Sequence, residues 1–459
     1  SGNGFSAVGV ADSDSLDYIW MGINSAGFAI ENSHSPDLEG DVGGENGILM
    51  KWALLNCATV AEFEQHLIQT NISGRGTQAN FGVIDATGEA CIFETGNHSF
   101  TKFDANDPQA APQGFIVRTN FGLTGDGTGG GLFRYNRANE LLAQGGGQGG
   151  LTVNYILKTL ARDLKNDGVD PYPLPYEHSQ EGHPPGYIRT DNSINRYTTC
   201  SAAVFQGVRP GEDPRLSTMW CILGEPVCGI AVPVWSYSVA SMPELDGLQS
   251  ALLCDACLDK EALCYTDPSD SKYINTFSLQ RGDGQGVLDL SLAIEDWIMA
   301  IAESFLQDWR QVFPSASEVE QFQREIISQG YALFLSSSKP SDIHPPKEFY
   351  GSRVHIRSLS QREYINVLSW QPHPDNGIVD KYRLFRIQSG GEKHFIADID
   401  PNDFFYWHRQ TVPSDSFFYI LVAVDLEGNE GIPAYTIIPA ESSRIGESYQ
   451  VLGISSVIR

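Results

Sequence analysis

WMGINSAGFAIENSHS, residues 20–35, is the stretch whose reading decides the fold. Apolar, aromatic and β-branched residues flank Asn-Ser-Ala-Gly, and Gly27 supplies the positive-φ position that a tight strand reversal requires. Asn24 and Gly27 are accordingly read as turn residues joining two strands. Outward from this hairpin, FSAVGVAD (5–12), NFGVIDA (80–86), EACIFET (89–95) and GFIVRTNF (114–121) have the same β-rich character between turn formers. NGILMKWALLNC (46–57), VAEFEQHLIQ (60–69), RYNRANELLAQ (134–144) and LTVNYILKTLARDL (151–164) place apolar residues three and four apart, as helices do. YTTCSAAVFQGV (197–208) and STMWCILG (217–224) add two late strands. The pattern is a layered α+β arrangement with sequential strands rather than βαβ alternation.

Composition limits what such a chain can do. The 459 residues carry 30 Lys and Arg against 57 Asp and Glu, a formal charge of -27. That field repels phosphate backbones and anionic bilayers, so nucleic acid is not an expected partner. No apolar run reaches the roughly 18 residues of a membrane span. Eight cysteines point to an exported protein with a few disulfides, and CDACLDKEALC (254–264) has one CxxC without the second pair a zinc ribbon needs. No metal or organic cofactor is expected.

Further along, SLAIEDWIMAIAESFLQDW (291–309) and SEVEQFQREIISQGYALF (317–334) read as two helices separated by Pro314 and Ser315. SSSKPSDIHPPKE (336–348) is a linker by composition. Six runs then recur at regular spacing with turn signals between them: YINVLSWQP, DKYRLFRI, HFIADI, DFFYWHR, FFYILVAVD and AYTIIP. Such spacing describes an all-β sandwich. This part resembles a fibronectin type III module: Trp370 matches the core Trp of the second strand, Tyr382 the aromatic of the third, and Tyr419 the tyrosine-corner position. The resemblance implies a spacer or adhesive role and an extracellular setting.

No GxGxxG follows a strand, and P-loop, HExxH and GxSxG signatures are missing from the chain. What remains is a series of spaced segments: WMGINSAGFAIENS (20–33), NFGVIDATGEACIFETG (80–96), VRTNFG (117–122), FRYNRANELL (133–142) and NRYTTCSAAVF (195–205). Their order resembles the N-terminal-nucleophile hydrolases of the acyl-CoA:isopenicillin N acyltransferase type, relatives of the choloylglycine hydrolases and penicillin V acylases. The resemblance covers roughly residues 5–240. It implies a four-layered αββα sandwich and cleavage or transfer of an acyl group at a non-peptide amide. In that family the nucleophile is an N-terminal Cys whose own α-amine, with an unperturbed pKa near roughly 8, serves as the base.

Carried over by position, Asn120 in VRTNFG matches the family's Asn that donates to the tetrahedral oxyanion, a task an amide performs without titrating. Asn32 matches the Asn after the N-x-x-G-[LF]-A hairpin. Arg196 matches an Arg beside the nucleophile, where a guanidinium lowers a thiol pKa or holds a substrate carboxylate. Bland alternatives exist for each: a turn or cap for Asn120, an Asx turn for Asn32, a surface ion pair for Arg196. The family's nucleophile-bearing strand and its following hairpin precede the segment matched here by residues 5–30. The nucleophile is therefore expected on an N-terminal fragment, with Ser1 a weaker candidate and a catalytically silent extracellular binding or structural protein the alternative. The domain plan that results is an acylase-like domain at 1–285, a helical extension at 286–335, a linker at 336–348, a fibronectin type III-like domain at 349–440 and a tail at 441–459. A small acyl amide is the expected substrate, secretion or the cell surface the expected location, and a homo-oligomer or assembly an admissible state.

Overall fold

The computed structural model describes residues 4–336 apart from 13–14, 148–149, 238–240, 248–249 and 283, together with 346, 348–357, 362–371, 379–387, 393–409, 411–412, 417–426, 428, 431 and 434–438. Ser1, most of the linker and the tail 441–459 lie outside the described residues. Contacts divide the chain into two compact units, Ser1–Lys339 and Pro340–Arg459.

The first unit is built on a six-stranded antiparallel sheet in sequence order: β1 (Ala7–Asp12), β2 (Ser15–Asn24), β3 (Ala29–His34), β4 (Ala79–Ile84), β5 (Ala90–Thr95) and β6 (Phe100–Asp104). Its β2–β3 reversal is the opening hairpin, with Gly27 at φ +80. Asn24 does more than turn the chain. Its Oδ1 accepts from the amides of Ala26 and Phe28, while its buried Nδ2 donates to the carbonyls of Leu54 (2.8 Å) and Cys57 (2.7 Å). One side chain thus closes the turn and satisfies carbonyls at the end of α1 (Asn46–Asn56), which otherwise have no intrahelical partner. Helix α2 (Val60–Ser73) begins at a capping box in which Thr59 and Glu62 bond reciprocally.

These two helices cover one face of the sheet. Phe63 of α2 meets Phe81 and Phe93 edge-on at 6.0 and 5.4 Å, in a core with Phe28, Ile30 and Met50. Each fully buried side chain of this size contributes about 1.5–3 kcal/mol. The opposite face packs on a second sheet of order β10-β9-β8, formed by β8 (Ser201–Gln206), β9 (Thr218–Leu223) and β10 (Val232–Val234), with β7 (Tyr187–Arg189) standing apart. Ile23, Ala29 and Ile84 meet Ala203, Phe205, Met219 and Cys221 between the sheets.

The facing sheet is narrower than the one it covers. At one side Ser6 Oγ donates to the Ser236 carbonyl at 2.7 Å, holding the end of β10 beside the start of β1. At the other, a Cβ placed on Gly207, just past β8, would meet Ile84 of β4 at 3.5 Å. The three strands therefore span β1 to β4. No strand among the described residues pairs with the outer edge of β8 or faces β5 and β6.

The rest of the unit comprises α3 (Leu132–Gly147), α4 (Val153–Tyr155, continuing as a wide turn over Ile156–Leu160), α5 (Pro243–Asp246), α6 (Leu252–Cys264), β11 (Tyr273–Asn275, paired with β7), α7 (Thr276–Leu279), α8 (Val287–Gln311) and α9 (Ala316–Ser336). Trp235, just after β10, binds this helical layer through its amide to Gln323 Oε1 (3.0 Å) and stacks edge-on with Trp309. A buried ion pair between Arg162 and Glu295 of α8 is completed by three carbonyl acceptors for Arg162 and by the Ala231 amide on Glu295.

Three expectations are corrected. GFIVRTNF is not a strand: apart from an isolated bridge between Thr119 and Phe121 it is loop, because side chains claim its carbonyls, Ser33 Oγ and Asn80 Nδ2 both donating to Thr119. LTVNYILKTLARDL forms only short helical turns. Finally, no disulfide forms, and all eight cysteines are free thiols. Cys254, Cys257 and Cys264 lie on α6, where Cys257 and Cys264 enter the same core as Cys228, while Cys57, Cys91 and Cys221 are dispersed in the cores around the six-stranded sheet. Burial pushes the thiols of Cys57 and Cys221 up to about 12.

The second unit is a three-on-four sandwich. Strands β12 (Tyr350–Arg357), β13 (Arg362–Ser369) and β16 (Phe405–His408) form one sheet; β15 (Lys393–Ile399), β14 (Val379–Ile387), β17 (Phe417–Asp425) and β18 (Ala434–Ile438) form the other. Trp370 and Tyr382 contact edge-on at 5.5 Å in the core. Tyr419 is buried as the resemblance requires, but its hydroxyl is held by side chains, accepting from Asn366 Nδ2 (2.8 Å) and lying 2.6 Å from His408 Nδ1.

Two measurements check these cores. Tyr419→Phe leaves the buried Asn366 amide short of a partner and should cost about 1–3 kcal/mol in chemical denaturation of the second unit's transition. In the first unit, burial pushes the Glu225 carboxyl up to about 8, opposed by the Tyr265 hydroxyl and the Asn195 amide that both bond to it. Its folded form therefore holds a proton that the unfolded chain releases near pH 4.5, so its contribution falls as pH rises through that window and stays low above pH 8. Glu225→Gln, which preserves the neutral shape, should match the parent at pH 4 and exceed its stability at pH 9 by on the order of 2 kcal/mol. Equal urea midpoints at pH 9 would refute that assignment.

Candidate functional site

Pairing register lines up two rows of side chains on the inner face of the six-stranded sheet, beyond the edge of β8. Glu31, Gly82, Ile92 and Phe103 form one row; Ser33, Asn80, Glu94 and Thr101 form the next. The first row is partly exposed, as a sheet face without a facing strand should be. Gly82 leaves room there for the Glu31 carboxylate, which a Cβ would displace. Although Glu31 reaches solvent, protein hems it in on its flanks, and this desolvation pushes its carboxyl up to about 7 against a bond from the Gly82 backbone.

The second row anchors a loop. Glu94, fully buried, accepts from Arg118 Nε (2.6 Å), from the amides of Leu123 and Thr124 (2.8 Å each) and from the Thr124 hydroxyl (2.5 Å). Burial alone would raise its carboxyl, yet the Thr124 hydroxyl, the two amides and the Arg118 charge outweigh it and hold it below the usual range. Asn80 Nδ2 lies within bonding distance of Ser33 Oγ, Ser35 Oγ and the carbonyls of Thr119 and Phe121. The loop is therefore fastened on both sides of Asn120.

Asn120 emerges from this clamp with its Nδ2 donating to the His34 carbonyl (3.0 Å) and its Oδ1 accepting from Arg134 Nη2 (2.9 Å). The amide has one further N–H to give. Arg134 stands on the first turn of α3, and its guanidinium is held down to about 10 by burial and by the nearby charge of Arg196. Ile194, two residues before Arg196, packs against the same Val117, Ala138 and Leu142 core as Tyr135. Asn120 is thus bonded to Arg134, while Arg196 follows a segment seated on the same small core.

Asn32 does not join them. It lies in the strand position alternating with Glu31 and Ser33, and its Nδ2 points to the helix layer, 3.4 Å from Met50 Sδ. Arg134, Asn80, Glu94 and Glu31 are the site residues that sequence reading passed over. A partial signal existed: Asn80 and Glu94 are polar residues inside apolar strand runs. For a metal, Glu89, Cys91 and Asp104 bring ligand atoms within 4.8 Å of one another, and exposed or half-exposed acidic groups of this kind are common without an ion. No helix among the described residues is long and apolar enough to cross a membrane.

The clamp is open to measurement. Glu94→Ala leaves Arg118 buried without its carboxylate and frees three donors, so it should destabilise the first unit by about 3–5 kcal/mol in urea denaturation. A loss under about 1 kcal/mol would show that the loop is held by other means.

No protein-family model matches the sequence, and no curated protein matches it. Among solved structures, a fibronectin III-like protein from Clostridium thermocellum is 19% identical, with a TM-score of 0.16, over 22% of this chain and 100% of its own. The third fibronectin III domain of the human KIAA0343 protein is 14% identical, with a TM-score of 0.16, over 24% of this chain and 96% of its own. These likenesses span about a fifth to a quarter of the chain, and the architecture of the second unit is read from its own strand order.

Proposed function

We propose that the first unit is an amide hydrolase or acyltransferase of the N-terminal-nucleophile type, acting on a small non-peptide acyl amide. The observation that supports this reading is an outer edge of β8 with which no strand among the described residues pairs, together with an Asn120 carboxamide held by Arg134 and left with one free N–H. A nucleophile-bearing strand added to β8 would extend the narrower sheet toward β5, beside the loop 118–124 that covers Glu94 and Phe103. The succession of helix pair, six-stranded sheet, narrower sheet and outer helices is consistent with a four-layered αββα sandwich.

In this reading the free α-amine of the nucleophile takes its proton, the thiolate or alkoxide attacks the acyl carbonyl, the C–N bond breaks as the α-ammonium returns that proton to the leaving amine, and water or an acceptor amine then releases the acyl group. Asn120 donates its remaining amide N–H to the developing oxyanion, and Arg196 lies beside the nucleophile. Asn32, directed at Met50, has no part. The second unit would act as a spacer or adhesive module, with secretion or cell-surface display as the setting. The free thiols lend that location no support.

A silent scaffold is the second reading. None of the eight internal cysteines can serve as a nucleophile of this type, since each lacks a free α-amine, so the described residues are equally compatible with a fold kept without catalysis.

N-terminal sequencing and intact mass of protein from its native source, combined with hydrolysis of a panel of N-acyl amides, separate the two readings. The hydrolase reading expects turnover and an associated segment beginning with Cys, Ser or Thr. It also expects Asn120→Ala to lower kcat by about 10²–10³ while Tm stays near the parent's. Absence of hydrolysis by the complete native assembly would leave the scaffold.

A further inference from the structure

The free thiols are not evenly spread along the fold. Helix α6 carries Cys254, Cys257 and Cys264, and the turn between β9 and β10, against which it packs, carries Cys228. Polar bonds join these two segments. The Glu225 amide donates to Glu261 Oε1 at 3.2 Å, and the Tyr265 hydroxyl, one residue past α6, donates to Glu225 Oε1 at 2.6 Å. The Cys228 amide closes the turn on the Glu225 carbonyl at 2.9 Å, and Cys257 Sγ reaches the same carbonyl at 3.5 Å. Held in this way, the fully buried thiols of Cys228 and Cys264 lie in hydrogen-bond contact within one core, among Ile188, Val227 and Ile274.

We propose that Cys228 and Cys264 are the two ends of a structural disulfide, closed by a low-molecular-weight disulfide oxidant while the first unit folds. One protein thiolate attacks the oxidant, for example oxidised glutathione, and releases one glutathione; the other then displaces the second glutathione from the mixed disulfide. Two protein thiols are oxidised, one small disulfide is reduced to two thiols, and both protons pass to the glutathione. Folding is the stage for this exchange, because seating α6 seals both sulfurs from solvent. In the folded chain, contact with Cys264 and burial also push the Cys228 thiol well above its ordinary range, which removes the thiolate that exchange requires. Cys254 and Cys257 do not compete as a CxxC pair. Residues three apart on a helix hold their Cβ atoms about 5–6 Å apart, beyond the roughly 3.5–4.5 Å of a disulfide. The bridge would tie the end of α6 to the sheet and restrict the unfolded chain, and it does not depend on the hydrolase reading.

Refolding of the full chain from urea tests the cross-link, once in a mixture of oxidised and reduced glutathione and once in excess dithiothreitol. Alkylation of the denatured products and intact mass should find two fewer free thiols in the oxidised material than the eight of the reduced chain. A non-reducing digest should contain the Cys228 and Cys264 peptides as one linked pair, and the oxidised form should unfold at higher urea. Cys228→Ala and Cys264→Ala should each abolish the linked pair and the difference in midpoint. Eight reactive thiols after oxidative refolding overturn the inference. So does a linkage of either residue to another cysteine such as exposed Cys200, or an oxidised form no more resistant to urea than the reduced one.

Discussion

The site proposed for the first unit depends on one buried carboxylate. Glu94 sits on the inner face of the six-stranded sheet, where a lone charge would be expelled, and it survives there because four donors from residues 118–124 converge on it. The dependence is mutual. Without Glu94 the segment would be left with its bonds to Ser33, Asn80 and Asp37, and without the segment Glu94 would be a buried charge with no donors. Asn120 lies inside this closed circuit, so its position is set by the sheet rather than by a mobile loop, as an oxyanion donor requires.

The same face shows how unevenly the core is distributed. On the helix side, aromatic packing among Phe63, Phe81 and Phe93 makes a dry layer, while on the other side the apolar contact ends at Ala29 and Ile84. Beyond that line the rows are mixed: Glu31 shares one with Ile92 and Phe103, and Ser33, Asn80, Glu94 and Thr101 make the next wholly polar. That polar row is not left to water but anchors residues 118–124.

Much of the architecture was legible because it is periodic. The hairpin, the strands around it, the helix pair before the linker and six of the seven sandwich strands all follow from alternation, 3.6-residue spacing and turn residues. The missed β12 and β6 are short or polar at the solvent face, so their alternation is weak. GFIVRTNF has every local mark of a strand and fails for a non-local reason: Ser33 and Asn80, distant in sequence, take the carbonyl that a ladder would use. CDACLDKEALC invites a reading from cysteine spacing, whereas its helical period places Cys257 and Cys264 in a core. At the site, residue type indicated Asn120 and Arg196, but side-chain direction cannot be read from a linear chain, and Asn32 went to the other face. Arg134 looked like one more charge on an amphipathic helix.

The edge of β8 has a bearing on solubility. Ser201–Gln206 reads SAAVFQ, with no charge, no proline and no bulge to discourage a visiting strand. Such an edge recruits neighbouring molecules as readily as it recruits the correct segment, and its apolar flank would stabilise the wrong pairing too. In the proposed reading a strand added there would serve as a gatekeeper as well as a carrier of chemistry, and solubility alone would be a reason to keep that edge covered.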